Sequence, residues 1–423
     1  MADQHDLQAF QDEARAWLDG HAERKEGGSG DEDLRWGTGD DGVAVFHNLT
    51  LDEERRLHEE ASAWQRTKFD AGFGAISWEE RYGGRGLPVA YERWFRSEEG
   101  RYRTPVSHEL FSVTTGLIAP TVAVYGTEAQ KDRFVRSFLR TDEYCSQLFS
   151  EPGAGSDLAA LGCKAERDGD EWVLDGQKVW NSGTVFAQWG EIICRSDPAA
   201  PKHKGQTAFL VPLDAPGVEI RPIRQMTGGA SFNEVFLTGV RIPDTLRLGG
   251  VGEGWKVALT TLGFERGASS GGGGGVGGSF RRVLAMARHL ERTGDPVVRQ
   301  MLARLFTRNR LLQLNGQRAQ AASRAGQAPG PEGSIGKLLW TENMTRTSDV
   351  VSHLLGPRLV ADTGEWGTYA WGEHVLGAPG YRIAGGSDEV QRTIIGERVL
   401  GLPREPQADK DLPWSEAVRG RRA

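Results

Sequence analysis

At 423 residues the chain exceeds what one hydrophobic core usually supports, so two or three domains or layers are expected. A composition of 38% hydrophobic and 26% charged residues is that of a soluble globular protein. A net charge of −7 with a pI near 5.8 gives a nucleic-acid partner no support. No apolar run is long enough to span a bilayer, and the start MADQHDLQAF lacks a signal-peptide core. Cys145, Cys163 and Cys194 are too widely spaced for a zinc cluster and read as reduced thiols of a cytoplasmic protein. The nine histidines show no paired metal-ligand spacing, so no metal is expected.

Residues 1–143 read as a helical domain. Leu7, Phe10, Ala14 and Leu18 recur at helical spacing, then a stretch rich in glycine and charge makes 24–47 a mobile loop. Thr50 and Glu53 form a capping box before a helix with Leu57, Ala61 and Trp64 on one face. The run from Ile76 to Gly86 reads as a glycine-terminated turn, and Thr127 in Gly126-Thr127-Glu128-Ala129-Gln130-Lys131 as a helix N-cap.

Residues 144–248 change to a β pattern. A short apolar run leads into the glycine-rich turn Glu151-Pro152-Gly153-Ala154-Gly155-Ser156-Asp157. Glycines there free the backbone and let amide N–H groups crowd an anion, although such a turn alone is commonly a plain loop. Strands are expected at 171–174 and 191–195, with Asp175-Gly176 as a turn signal, and again at 207–212, 217–222 and 234–240. Residues 249–402 return to helical periodicity as a bundle. Asp295-Pro296 starts a helix with Val298, Leu302, Leu305 and Leu312 on one face. A linker at 327–333 precedes a helix over 334–355 that Gly356-Pro357 stops. The tail 403–423 reads as polar and loosely held.

Two strings, SEPGAGSDLA at 150–159 and DGQKVWNS at 175–182, together resemble the flavin-binding domain of the acyl-CoA dehydrogenase family. The runs at 76–86, 126–131 and 226–240 are similar to that family too, so the resemblance covers nearly the whole chain. It implies an α+β fold: an N-terminal helical domain, a central β-domain and a C-terminal four-helix-bundle-like domain. It also implies FAD as cofactor. Phe149 and Ser150 would contact the flavin ring system, and Gly155 and Ser156 would lie beside the pyrophosphate. Trp180 would pack near the isoalloxazine, with the Ser182 hydroxyl near N5, while Ser387 and Glu389 face the AMP half. An apolar wall, one aromatic and a placed hydroxyl suit a planar cofactor. Taken alone, Trp180 would be an ordinary core aromatic.

The reaction that the resemblance implies removes a proton α to a thioester while a hydride leaves the β-carbon for flavin N5. Many members carry the glutamate base in a C-terminal string, which here reads Ile383-Ala384-Gly385-Gly386-Ser387-Asp388-Glu389 with Gly385 at the base position. Isovaleryl- and long-chain-type members place the base on an earlier helix, and Glu265-Arg266 stands at the corresponding point. Glu265 is therefore the expected base, with Arg266 a nearby cation and the Gly385 backbone N–H a donor to the thioester oxygen. A surface Glu-Arg pair is the plain alternative, and Asp388 and Glu389 are rival carboxylates. The run Gly271–Gly278 either opens the acyl pocket or makes a loop. The family's Arg-x-x-Phe element does not follow it, which counts against a homotetramer with four equivalent flavin sites and leaves a homo-oligomer or a mixed oligomer with a related subunit as the expected assembly. The expected activity is acyl-CoA dehydrogenation with electrons passed to an electron-transfer flavoprotein. The alternatives are a flavin oxidase or monooxygenase on the same fold, or a non-catalytic partner subunit.

Overall fold

The computed structural model describes residues 2–25, 43, 45–46, 48–106, 108–269, 278–324, 330–361, 368–406 and 409–419. Most of the expected 24–47 loop and Gly271–Gly277 lie outside the described residues, as do 325–329 of the linker region.

Helices come first: α1 (Ala2–His21), α2 (Leu51–Asp70), α3 (Val89–Glu99), α4 (Glu109–Val113), α5 (Ala119–Tyr125) and α6 (Glu128–Arg140). The start of α2 is fixed as the sequence dictates. Thr50 Oγ1 accepts from the Glu53 N–H while the Glu53 carboxylate accepts from the Thr50 N–H, so two orphan donors are satisfied at once. Thr127 and Gln130 repeat the arrangement on α6. Between α4 and α5 the chain widens into a single π-turn, Thr114–Ile118, a feature frequent at functional sites.

A sheet follows, built from β1 (Cys145–Leu148), β2 (Lys164–Asp168), β3 (Glu171–Ser182), β4 (Trp189–Arg195), β5 (Gln206–Pro212), β6 (Val218–Ile223), β7 (Phe232–Pro243) and β8 (Arg247–Leu248). Its order is β6-β7-β3-β2-β4-β5-β8, with β1 added parallel to β4. Asp175-Gly176 is not a turn between strands: β3 runs through it for 12 residues. The register against β7 slips between Leu174 and Gly176, and Asp175 Oδ1 accepts from the Gly239 N–H at 2.7 Å. A β-bulge and a turn use the same residues, and only the partner strand tells them apart. Glycine is required at this bulge, because a Cβ on Gly176 would stand 2.8 Å from the Cys163 backbone.

Helices then close the molecule: α7 (Gly254–Ser269), α8 (Phe280–His289), α9 (Pro296–Arg324), α10 (Gly333–Leu355), α11 (Thr368–Tyr381), α12 (Asp388–Ile394) and α13 (Trp414–Arg419). Asp295 caps α9 by accepting from the Val297 N–H at 2.8 Å. Val283, Met286, Val298, Leu302, Leu305, Val350 and Trp371 form the bundle core, whereas Phe149, Leu161, Ile193, Val257 and Ala258 join the sheet to α7 and the N-terminal helices. This is the expected three-part fold.

The tail corrects the sequence expectation. The described residues 409–419 are docked on the β-domain rather than loosely held. Trp414 donates from Nε1 to the Ala160 carbonyl and from its backbone to Ala200, and the Arg195 guanidinium lies 5.1 Å from its ring centroid. Lys202 pairs with Asp409 at 3.0 Å. One half-buried aromatic outweighs the polar composition around it.

Candidate active site

Three elements meet around the glycine-rich turn. Glu151, which opens the turn, accepts hydrogen bonds from the Gly162 and Cys163 N–H groups at 2.7 and 2.9 Å. It also pairs with Lys178 at 2.8 Å, and the fully buried Lys178 ammonium donates to the Phe149 carbonyl at 3.0 Å. A buried charge is costly unless paired and hydrogen-bonded, so this arrangement locks the two ends of the turn to β3. The result is a rigid turn whose outer side is open. Gly155 and Ser156 are exposed, and a Cβ on Gly153 or Gly155 would meet nothing within 4 Å. Ser150 is half-buried, its carbonyl accepting from the Val179 N–H. The Phe149 ring is buried in the core and supports the turn from within.

Next along β3, a second register shift between Lys178 and Asn181 expels Trp180 from the ladder. Trp180 adopts φ +64°, a left-handed conformation that costs a non-glycine residue roughly 1–3 kcal/mol. Its ring is 59% exposed, with an edge contact to Phe232 at 6.2 Å. Apart from that contact, a large aromatic held out at the expense of backbone strain contributes little to the core. Ser182 follows, half-buried, at the end of the strand. Gln147 shares the face of β1 that carries Cys145 and Phe149, and its buried amide nitrogen has no hydrogen-bond partner among the described residues.

The carboxylate side comes from the helices. Glu265 is half-buried on α7, and a Cβ placed on Gly385 would stand 3.0 Å from its Oε1. The Arg266 side chain lies outside the described residues. Gly385 and Gly386 both have left-handed backbones, φ +64° and +83°. Gln391 donates to the Gly385 carbonyl at 3.0 Å and Lys337 to that of Gly386 at 2.7 Å, which fixes the turn. Burial holds the Lys337 ammonium below its usual range, while Asp388, Glu265 and Glu389 oppose the shift. The Tyr381 phenol is pushed well up by burial first, then by the Glu109 and Glu265 carboxyls.

Asp388 is 1% exposed and already engaged, accepting from Arg382 at 2.7 Å and Thr341 at 2.9 Å. Ser387 caps α12, and Glu389 is an exposed partner of Arg392 at 3.7 Å. No hydrogen bond or ion pair among the described residues joins Ser387 or Glu389 to the glycine-rich turn. Lys337, Tyr381 and Glu109 were missed by sequence reasoning. Only the folded chain brings them to Glu265, and none sits in a recognisable string.

Comparison with known proteins agrees with this geometry. Residues 45–142, 146–240 and 252–400 match the N-terminal, middle and C-terminal domains of acyl-CoA dehydrogenase. Acyl-CoA dehydrogenase IpdE1 of Mycobacterium tuberculosis is 39% identical over 354 residues, which is 83% of this chain and 90% of that protein. Among solved structures, the Tcur3481-Tcur3483 steroid ACAD superposes with a TM-score of 0.72 at 28% identity, covering 95% of this chain and 98% of that one. The ChsE4-ChsE5 complex from Mycobacterium tuberculosis gives 0.68 at 28% identity, covering 84% and 94%. The chain belongs to the acyl-CoA dehydrogenase family.

Acyl-CoA dehydrogenases are FAD-dependent oxidoreductases, and the residues present fit that cofactor. The open side of the turn at Gly153 and Gly155 admits close approach of a phosphate, Trp180 offers an exposed aromatic face, and the Gln147 amide nitrogen has no acceptor among the described residues.

Proposed function

We propose that this acyl-CoA dehydrogenase carries out α,β-dehydrogenation of an acyl-CoA thioester with Glu265 as the base. The position of Glu265 carries the reading, since its carboxylate occupies the volume that a side chain on Gly385 would enter. The base is mounted on α7, and the family's more common mount is reduced to a glycine. Asp388, a rival carboxylate, is already engaged by Arg382 and Thr341 in a structural role.

FAD, when bound, supplies the two-electron acceptor. The chain's own residues do the rest. Glu265 takes the α-proton as a carboxylate. The Gly385–Gly386 turn, held by Gln391 and Lys337, keeps the Gly385 amide in place as a donor to the thioester oxygen. Tyr381 keeps its proton, because burial and two neighbouring carboxyls oppose the phenolate, so it is a donor rather than a second base. Trp180 and Ser182 hold the flavin edge, and the open turn at Gly155 and Ser156 receives the pyrophosphate. Ser387 and Glu389 are retained as contacts for the AMP half, and Arg266 as the cation beside the base.

Electrons then pass to an electron-transfer flavoprotein. The Tcur3481-Tcur3483 and ChsE4-ChsE5 structures each carry two protein names, and no Arg-x-x-Phe element follows the Gly271–Gly278 run; both facts support a mixed assembly with a related subunit. The three free thiols support a reducing, cytoplasmic setting. The decisive test is Glu265→Gln, which keeps shape and removes the proton acceptor. The yellow variant should bind thioester, yet its anaerobic flavin bleaching should slow by at least ~10²-fold across a panel of acyl-CoA substrates. Bleaching at the wild-type rate would remove Glu265 from the role.

A further inference from the structure

The glycine-rich turn is held at its entry by Glu151 and Lys178, but its exit is held from outside. After Asp157 the chain makes one tight helical turn, Leu158–Ala160, and meets the Glu151 carboxylate again at Gly162. Three successive carbonyls along this exit accept from side chains of other segments. Arg195 of β4 donates to Ala159 at 2.7 Å and to Leu161 at 3.4 Å, and Gln206 of β5 donates to Ala159 at 3.0 Å. These two are buried and stand opposite each other in the sheet. The Ala160 carbonyl between them is held by the Trp414 indole at 3.0 Å, from 254 residues further along the chain. The Trp414 ring lies against Gly162, where a Cβ would stand 3.2 Å from its Cζ2, and beside the Arg195 guanidinium. Arg195 has no ion pair among the described residues and its Nε has no hydrogen-bond partner there, so the indole face is a significant offset to burying that cation. The segment is tied down on both sides of the ring. Lys202 pairs with Asp409 at 3.0 Å while standing 3.8 Å from Asp157 of the turn, and the Ser415 N–H donates to the Pro198 carbonyl at 3.1 Å.

Resting on the reading that this turn receives the FAD pyrophosphate, we propose that Trp414 is a positioning residue for the cofactor. Through its indole N–H and ring, the C-terminal segment braces the exit of the glycine-rich turn and sets how long FAD stays bound. The physical reason is preorganisation. A Pro-Gly-Ala-Gly-Ser turn must hold its backbone in one arrangement to receive an anion, and glycines lose more conformational freedom than other residues when they are fixed. Protein that fixes the turn in advance lowers that cost without touching the ligand. The sheet supplies two of the three outer contacts, so removing Trp414 leaves β4 and β5 in place and releases the Ala160 carbonyl and the face of Gly162.

The test uses the FAD-loaded, full-length protein. Flavin release on dilution is followed as the rise in free-flavin fluorescence, with the thermal midpoint measured in parallel. Trp414→Phe keeps a ring beside Arg195 and Gly162 but removes the N–H, and should release FAD ~3-fold faster than wild type. Trp414→Ala removes both and should release it at least ~10-fold faster. Leu302→Ala, in the bundle core, should lower the midpoint yet release FAD at the wild-type rate, which separates positioning from a general loss of stability. Release from a folded Trp414→Ala variant no faster than from Leu302→Ala would overturn the assignment. So would wild-type release from Trp414→Phe, which decides the matter even if the alanine variant does not fold. Gly155→Val checks the underlying reading, because its side chain has open space in the protein but would intrude on a pyrophosphate. That variant should fold and take up little FAD. Full FAD occupancy in Gly155→Val would remove the turn from the cofactor site, and the role of Trp414 with it.

Discussion

A side chain on Gly385 and the carboxylate of Glu265 compete for one volume, their nearest atoms only 3.0 Å apart. Gly385→Glu in the wild-type background should therefore fail twice. The new carboxylate would crowd the old one, and like charges at that spacing resist joint ionisation. The left-handed φ of +64° adds roughly 1–2 kcal/mol for any residue with a Cβ. Glu265→Ala empties the shared volume, so Glu265→Ala with Gly385→Glu should regain part of the flavin bleaching that Glu265→Ala loses, at some expense of thermal stability. A yellow, folded double variant no faster than Glu265→Ala would mean that the two positions are not interchangeable mounts. The residues of this pair were legible in the sequence; the distance between them was not. Tyr381 was not legible either, because a lone tyrosine carries no pattern until the fold brings it within reach of Glu265.

Individual helices were readable where local chemistry decides them. Thr50, Thr127 and Asp295 cap as their neighbours dictate, since a capping side chain acts within three residues. Strands were less so. Asp175-Gly176 looks like a turn because local sequence cannot see Gly239 donating to Asp175 from the partner strand. The segment before α2 was hidden for the same reason. Among its described residues, Phe46 stacks on Tyr381 at 5.0 Å and meets the Phe232 edge at 5.3 Å, and Asn48 donates to Glu373 at 3.0 Å. Glycines make the seat, as a Cβ on Gly377 or Gly380 would run into Val45 or Phe46. This stretch thereby ties α11 to β7 beside the site. Phe46→Ala should cost about 3–5 kcal/mol if the hole does not collapse. Differential scanning calorimetry of the FAD-loaded protein should record a lower midpoint; an unchanged midpoint would mean that the segment is not stably seated.

At the scale of the whole molecule, one buried carboxyl links the sheet to both sets of helices. Glu191 lies in the middle of β4, fully buried, and shares a 2.8 Å hydrogen bond with Thr261 on α7. Thr261 in turn meets Thr121 of α5 at 2.9 Å. Burial drives the Glu191 carboxyl up to about 8, only partly opposed by Thr261. The folded state therefore holds this proton more tightly than the unfolded chain does. The stabilisation that follows is fully present below the ordinary glutamate range and is lost as pH rises through about 8. Ionisation would leave a charge between β4 and α7, one helical turn before Glu265. The thermal midpoint of the FAD-loaded protein should accordingly fall as pH rises from the ordinary glutamate range to about 8 and level off above it. Glu191→Gln supplies a neutral group of the same shape that can still bond Thr261, so it should flatten that fall while changing the midpoint little at acid pH. A Glu191→Gln profile parallel to wild type from the ordinary glutamate range up to about 8 would assign the pH dependence to other groups and leave Glu191 a bystander.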